Sequence, residues 1–165
     1  MSLRALWLVF AVAAAAAYGW VVLGVGPRLM AAGGGLPPFD LRPGGYDVAA
    51  AAAYLDRIGD AGRAWYAHRV IPADLAFAAL FTAALGLGAR LLSARWLVVP
   101  AALPGLIDLA ENLALRALLT APPGPPDPAL VARASALTQA KWVALAVSAA
   151  VLAGLALRRR RGRRG

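Results

Sequence analysis

The residues best equipped for chemistry cluster in the last third of the chain. The run Leu106-Ile107-Asp108-Leu109-Ala110-Glu111-Asn112-Leu113 carries three polar groups at three- and four-residue spacing. On a helix that spacing places Asp108, Glu111 and Asn112 on one face. Further along stand Thr138, Gln139, Lys141 and Trp142. Lys141 is the only lysine among 17 basic residues, and Glu111, Asn112 and Gln139 are each the only residue of their type. A chain that uses arginine wherever a positive charge serves keeps a lysine where an ammonium is wanted, because only lysine changes protonation readily when buried. Asp74 adds a third carboxylate. Carboxyls sequestered beside an ammonium can act as general acid and base. Asp108 is the expected proton donor and Glu111 its partner. Lys141 would stabilise developing charge, and Asn112 would hydrogen-bond a substrate oxygen. A Schiff base at Lys141 is the other covalent option, but four helices leave little room for a retinal-like chromophore.

Other chemistries lack their residues. There is no cysteine, hence no thiolate nucleophile or disulfide, and a single histidine argues against a zinc or haem centre. No phosphate-binding loop, dinucleotide fingerprint, metalloprotease motif or serine-hydrolase elbow occurs. No cofactor and no metal are therefore expected.

The elements that must position these residues follow from composition. Of 165 residues, 61% are hydrophobic and 15% charged, with a mean hydropathy of +0.67. Soluble domains carry about 45–50% apolar and about 25% charged residues, so a water-soluble globule is excluded, as is disorder. The expected fold is an all-α integral membrane protein with four transmembrane helices, over 5–26, 72–90, 96–118 and 137–157. Each is close to the length of about 20 apolar residues that a bilayer requires. Asp127-Pro128 reads as an N-cap and first-turn pair starting the last helix early. The first span resembles a secretory signal, but its apolar run continues past the length of a signal core, so an uncleaved helix is expected.

Lys and Arg near span ends face the cytoplasm. Six arginines fill the tail from Arg158 to Arg164, which places the C-terminus, and with four spans the N-terminus, on the cytoplasmic side of a cell membrane. Arg90 and Arg95 in the short turn between the second and third spans agree. The net charge of +9 is thus largely a topology signal, and no nucleic-acid partner is expected.

The segment 27–71 would then lie outside. Its first part, with Gly33-Gly34-Gly35, Pro37-Pro38 and Pro43-Gly44-Gly45, breaks helices and sets turns. It also holds Phe39-Asp40-Leu41-Arg42, an aromatic beside opposite charges. From Tyr46 onward Val48, Ala51, Leu55, Ile58, Gly62 and Trp65 recur at helical spacing. One or two amphipathic helices are expected, broken at Gly59, lying on the membrane surface or capping the bundle and ending at Ile71-Pro72. About 45 residues so rich in Gly and Ala should bury little core of their own.

At 1.5 Å per residue, Asp108 falls about 12 Å below the outer boundary, Glu111 about 7 Å, Lys141 about 5 Å and Asp74 about 3 Å. These depths predict one polar chamber opening outward. Tyr18, Trp20, Phe77 and Trp142 would pack an apolar substrate, and Arg63, Tyr66 and His68 would form a lid. The function expected is binding or cofactor-free acid–base conversion of a hydrophobic, lipid- or isoprenoid-like molecule, with membrane lipid as partner. Two alternatives stand beside it. The charges can be structural ion pairs that fix helix register. They can also be proton or cation sites of a transport subunit, which with four spans would require a homodimer.

Overall fold

The computed structural model describes residues 1–92, 96 and 98–161. Arg95 in the short turn and Arg163 and Arg164 in the tail lie outside the described residues. The described chain is helical, with no strand. Helix α1 (Leu3–Gly19) starts at Ser2, whose hydroxyl accepts the Ala5 N–H at 3.2 Å. A π-helical turn, Trp20–Val25, joins it to α2 (Gly26–Ala32). A short 3₁₀ turn, Phe39–Leu41, precedes α3 (Val48–Trp65), which is capped by Asp47 through the Ala50 N–H at 2.7 Å. A second π-helical turn, Tyr66–Val70, leads into α4 (Ile71–Leu91). Helices α5 (Val98–Leu119) and α6 (Pro128–Arg161) follow. Asp127 caps α6 through the Ala129 N–H at 2.9 Å, as its sequence requires.

Two expected boundaries move, for one physical reason. The first helix does not leave off at Gly24-Val25-Gly26 but runs on to Ala32, and the second does not begin at Pro72 but continues from α3. A proline inside a helix lacks a donor, and its ring collides with the carbonyl four residues back. Here the turn before each proline is widened. The N–H of Gly26, before Pro27, bonds the Val21 carbonyl, and the N–H of Ile71, before Pro72, bonds the Tyr66 carbonyl, both five residues back. The wider turn lets the helix pass the proline instead of stopping.

Among the described residues, three helical stretches are long and apolar enough to cross a membrane: Leu3–Ala32, Val48–Leu91 and Pro128–Leu155. The expected third span corresponds to α5, which carries Asp108, Glu111 and Arg116 and is not one of the three.

The break at Gly59 occurs as expected. Gly59 sits at φ 59°, ψ −175° inside α3, a region open in practice only to glycine. Nothing lies within 4 Å of where a Cβ would stand, so substitution tests the backbone alone. Gly59→Ala is expected to cost about 1–3 kcal/mol, read from unfolding in detergent. A gain in stability would mean that the helix straightens without penalty.

The largest buried apolar cluster lies at the end of the molecule where segment 27–71 folds over the helices. Leu29, Phe39, Tyr54, Leu55, Tyr66 and Ile71 pack there with Leu115 and Leu118 of α5 and Val131 and Ala134 of α6. The segment therefore caps the helices rather than lying apart from them. The segment buries more than its composition suggested, and the core is shared: among the described residues, ten of the cluster's 17 buried residues come from the segment and six from α5 and α6. Below the cap, α1 packs on α4, α4 on α5, and α5 on α6. Among the described residues, helices α1 and α6, which would close a four-helix bundle, do not pack closely on each other. The gap between them is the feature that matters for the site.

Candidate functional site

The polar face of α5 is turned inward, toward α4 and α6. Asp108, Glu111 and Asn112 are all buried, with Glu111 fully so, while Leu103, Leu106, Leu109 and Leu113 on the opposite face are exposed. The i, i+3, i+4 spacing read from the sequence thus delivers its three groups to one place. Lys141 of α6 meets them there. Its Nζ lies 2.9 Å from Asp108 Oδ1 and 2.5 Å from Glu111 Oε2. Thr138, one turn earlier on α6, donates its hydroxyl to Glu111 Oε1 at 2.5 Å. From α4, Asp74 joins through Asn112, whose Nδ2 donates to Asp74 Oδ2 and to Asp108 Oδ2, each at 3.1 Å. The network ties three helices together with one ammonium, three carboxylates and one amide.

A fourth carboxylate comes from the cap. Asp40 is buried, and the Tyr66 hydroxyl donates a short hydrogen bond to its Oδ1. The Trp142 indole N–H donates to the Asp40 carbonyl at 3.0 Å, which pins the Phe39–Leu41 turn onto α6. Phe39 anchors the same turn. Its ring lies 4.6 Å from that of Tyr46 and 4.8 Å from that of Tyr54, centroid to centroid. The Arg42 guanidinium covers Tyr54, 4.6 Å from its ring centroid, and donates from Nε to the Pro37 carbonyl at 2.9 Å. The Tyr46 N–H donates to Ser135 Oγ at 2.9 Å. Burial raises the Tyr46 phenol well above its ordinary value of 10.0, so it stays neutral beside Thr138 and Glu111.

Between α1 and α6, where the bundle is open, lies a cavity of about 530 Å³, within the range of ligand sites. Its polar wall is Asp40, Asp74, Asp108 and Lys141. Its apolar wall includes Tyr18, Val22, Phe77, Phe81 and Trp142, and its roof is Pro38, Asp40 and Leu41. Pro104 and Gly105 of α5 also line it, and at Gly105 the Thr82 side chain of α4 takes the space a Cβ would need.

The residues singled out in the sequence fall into distinct places. Asp74, Asp108, Lys141 and Trp142 border the cavity, with Tyr18 and Phe77 opposite. Glu111 does not; it sits behind Lys141, held by Thr138. Asn112 likewise spends its amide on Asp74 and Asp108 rather than on the cavity. Trp20 is 62% exposed and is not part of the wall, because residues two apart on a helix point to opposite sides, away from the face carrying Tyr18. The expected lid is replaced. Arg63 borders a separate groove with Asp56, Gly59 and the Pro-rich turn 123–126, and His68 is exposed. Tyr66 alone of the three acts on the chamber, through Asp40. The turn carrying Asp40 is the actual roof. Its only sequence signal was an aromatic beside opposite charges, which gave no hint of where it folds.

Among the described residues no group of three or more His, Cys, Asp or Glu side chains is arranged to hold a metal ion. What the arrangement can do is hold a polar group against carboxylates and an ammonium while enclosing an apolar remainder. The chain matches no known family model, no functionally characterised protein and no solved structure.

Proposed function

We propose that the protein is a four-span protein of the cell membrane, with both termini cytoplasmic and the 27–71 cap outside. In its outward chamber it binds a lipid- or isoprenoid-like amphiphile and moves a proton at that molecule's polar end. The membrane part is supported by where the apolar side chains point. Leu8, Val12, Leu23, Leu106, Leu113 and Val147 are exposed while Asp108, Glu111 and Lys141 of α5 and α6 are buried, the reverse of a water-soluble pattern. With α5 flanked by α4 and α6, its leucine face needs an apolar surround as much as theirs do.

One observation carries the functional part: Asp74, Asp108 and Lys141 border the same cavity as an apolar and aromatic wall. An amphiphile presents both characters at once. Asp108 is the group placed to exchange the proton, since it faces the cavity and Lys141 can hold the resulting charge at 2.9 Å. Glu111, out of contact with the cavity, positions Lys141.

The test is extraction and mass spectrometry of the lipid that remains with protein purified in mild detergent. A defined amphiphile at about one per chain is expected for the native protein. In Asp108→Asn the same amphiphile should remain bound in its unconverted form. Bulk membrane lipid in ordinary proportions would overturn the proposal. It would favour the second reading, that the charges only fix helix register, which the complete engagement of Glu111 by Thr138 and Lys141 already suits.

A further inference from the structure

A second hollow adjoins the chamber. It measures about 700 Å³ and lies between α1 and α4, with Trp7, Ala11 and Ala15 on one side and Leu85 and Gly88 on the other. Tyr18, Phe77 and Phe81 line both hollows. Their rings form a continuous strip, with centroids 5.3 Å apart for Tyr18 and Phe77 and 5.4 Å apart for Phe77 and Phe81. The space exists because α1 offers mostly alanine toward α4, and small side chains leave a gap where leucines would fill it. A molecule whose polar end occupies the chamber can therefore run its apolar end past the aromatic strip toward Trp7. From Tyr18 to Trp7 the helix rises about 16 Å, the length of a chain of roughly a dozen carbons.

The charges select the head. Lys141 is engaged by Asp108 and Glu111. Asp40 and Asp74 border the chamber with only neutral donors, the Tyr66 hydroxyl and the Asn112 amide. Among the described residues of the wall, three carboxylates face one ammonium. An anionic head would meet repulsion there, and a neutral one would leave Asp40 and Asp74 without a counter-charge. A cationic head supplies it.

We infer that the chamber's ligand is a single-chain amphiphile with an ammonium head, its head between Asp40 and Asp74 and its chain in the groove between α1 and α4. This rests on the amphiphile-binding reading above and names the ligand class.

The test uses the full chain in phosphatidylcholine nanodiscs and three probes of equal chain length: dodecylammonium, dodecanol and dodecanoate. Native mass spectrometry counts the bound probe. Dodecylammonium is expected to bind at one per chain, and the other two not to bind. Asp74→Asn and Asp40→Asn should each weaken it by about 30-fold, as expected for losing one partner of a buried charge pair. Ala11→Leu and Ala15→Leu, which fill the groove without touching the charges, should weaken dodecylammonium but not butylammonium. Equal binding of dodecanol or dodecanoate overturns the head assignment and leaves amphiphile binding intact. Unchanged affinity in both leucine variants overturns the chain assignment. If none of the three binds, the inference fails outright, and the extracted-lipid measurement decides the underlying function independently.

Discussion

Lys141→Met should cost about 3–5 kcal/mol of stability, the usual penalty for removing one partner of a buried ion pair. Among the described residues Lys141 is the only cation within ion-pair distance of both Asp108 and Glu111, at 2.9 Å and 2.5 Å, and all three are buried. Removing the ammonium leaves two buried carboxylates, and among the described residues no other cation stands within ion-pair distance of either. Thr138 and Asn112 can satisfy one oxygen each, which reduces the penalty without removing it. The cost belongs to the stranded acids rather than to the lost lysine. The triple variant Lys141→Met, Asp108→Asn, Glu111→Gln should therefore recover most of the stability, since replacing all members of a buried ionic group together is often close to neutral. Unfolding in detergent, measured for the single and triple variants side by side, reads both numbers. A single variant within about 1 kcal/mol of the native protein, the scale of an exposed pair, would mean that the network is open to water.

Phe39→Ala should cost a comparable amount, about 3–5 kcal/mol, by a different mechanism. Phe39 is fully buried and is the centre of the aromatic group formed with Tyr46, Tyr54 and Tyr66. Its neighbours are held by helices on three sides, so the space cannot collapse, and a cavity remains. The turn it anchors also carries Asp40, which bonds Tyr66 and Trp142. The loss should therefore reach the chamber roof. Amide hydrogen exchange is expected to speed up in the Phe39–Leu41 turn, and the Trp142 indole should lose its partner and shift in fluorescence. Phe39→Leu, which keeps most of the volume, should cost much less. If the roof exchanges as in the native protein in Phe39→Ala, the turn is held by Trp142 and Tyr66 without it.

Much of the site was legible because helical periodicity is a local property. The spacing of Asp108, Glu111 and Asn112 puts them on one face whatever the helix packs against. The solitary Lys141 stood out against 16 arginines for a chemical reason. Asp127-Pro128 and Gly59 declared a helix start and a helix break through backbone rules alone. What could not be read was which of these groups meets the cavity. Glu111 lies one turn from Asp108 and faces Thr138 instead, a distinction set by the rotation of α5 against α6. Asp40 reached the site from a Gly- and Pro-rich stretch with no periodicity to extrapolate.

By itself the sequence determined the helical class, the apolar character of the long helices and the small set of polar side chains buried among them. Those follow from composition and from the 3.6-residue repeat, which each segment carries without reference to the rest. Only the tertiary structure decided that α1 and α6 stand apart, that the cap folds Asp40 over the gap, and that an alanine-lined groove continues from it. Those depend on how side chains from distant segments fill, or fail to fill, the space between helices. That is a property of pairs of surfaces, and no single stretch of sequence contains it.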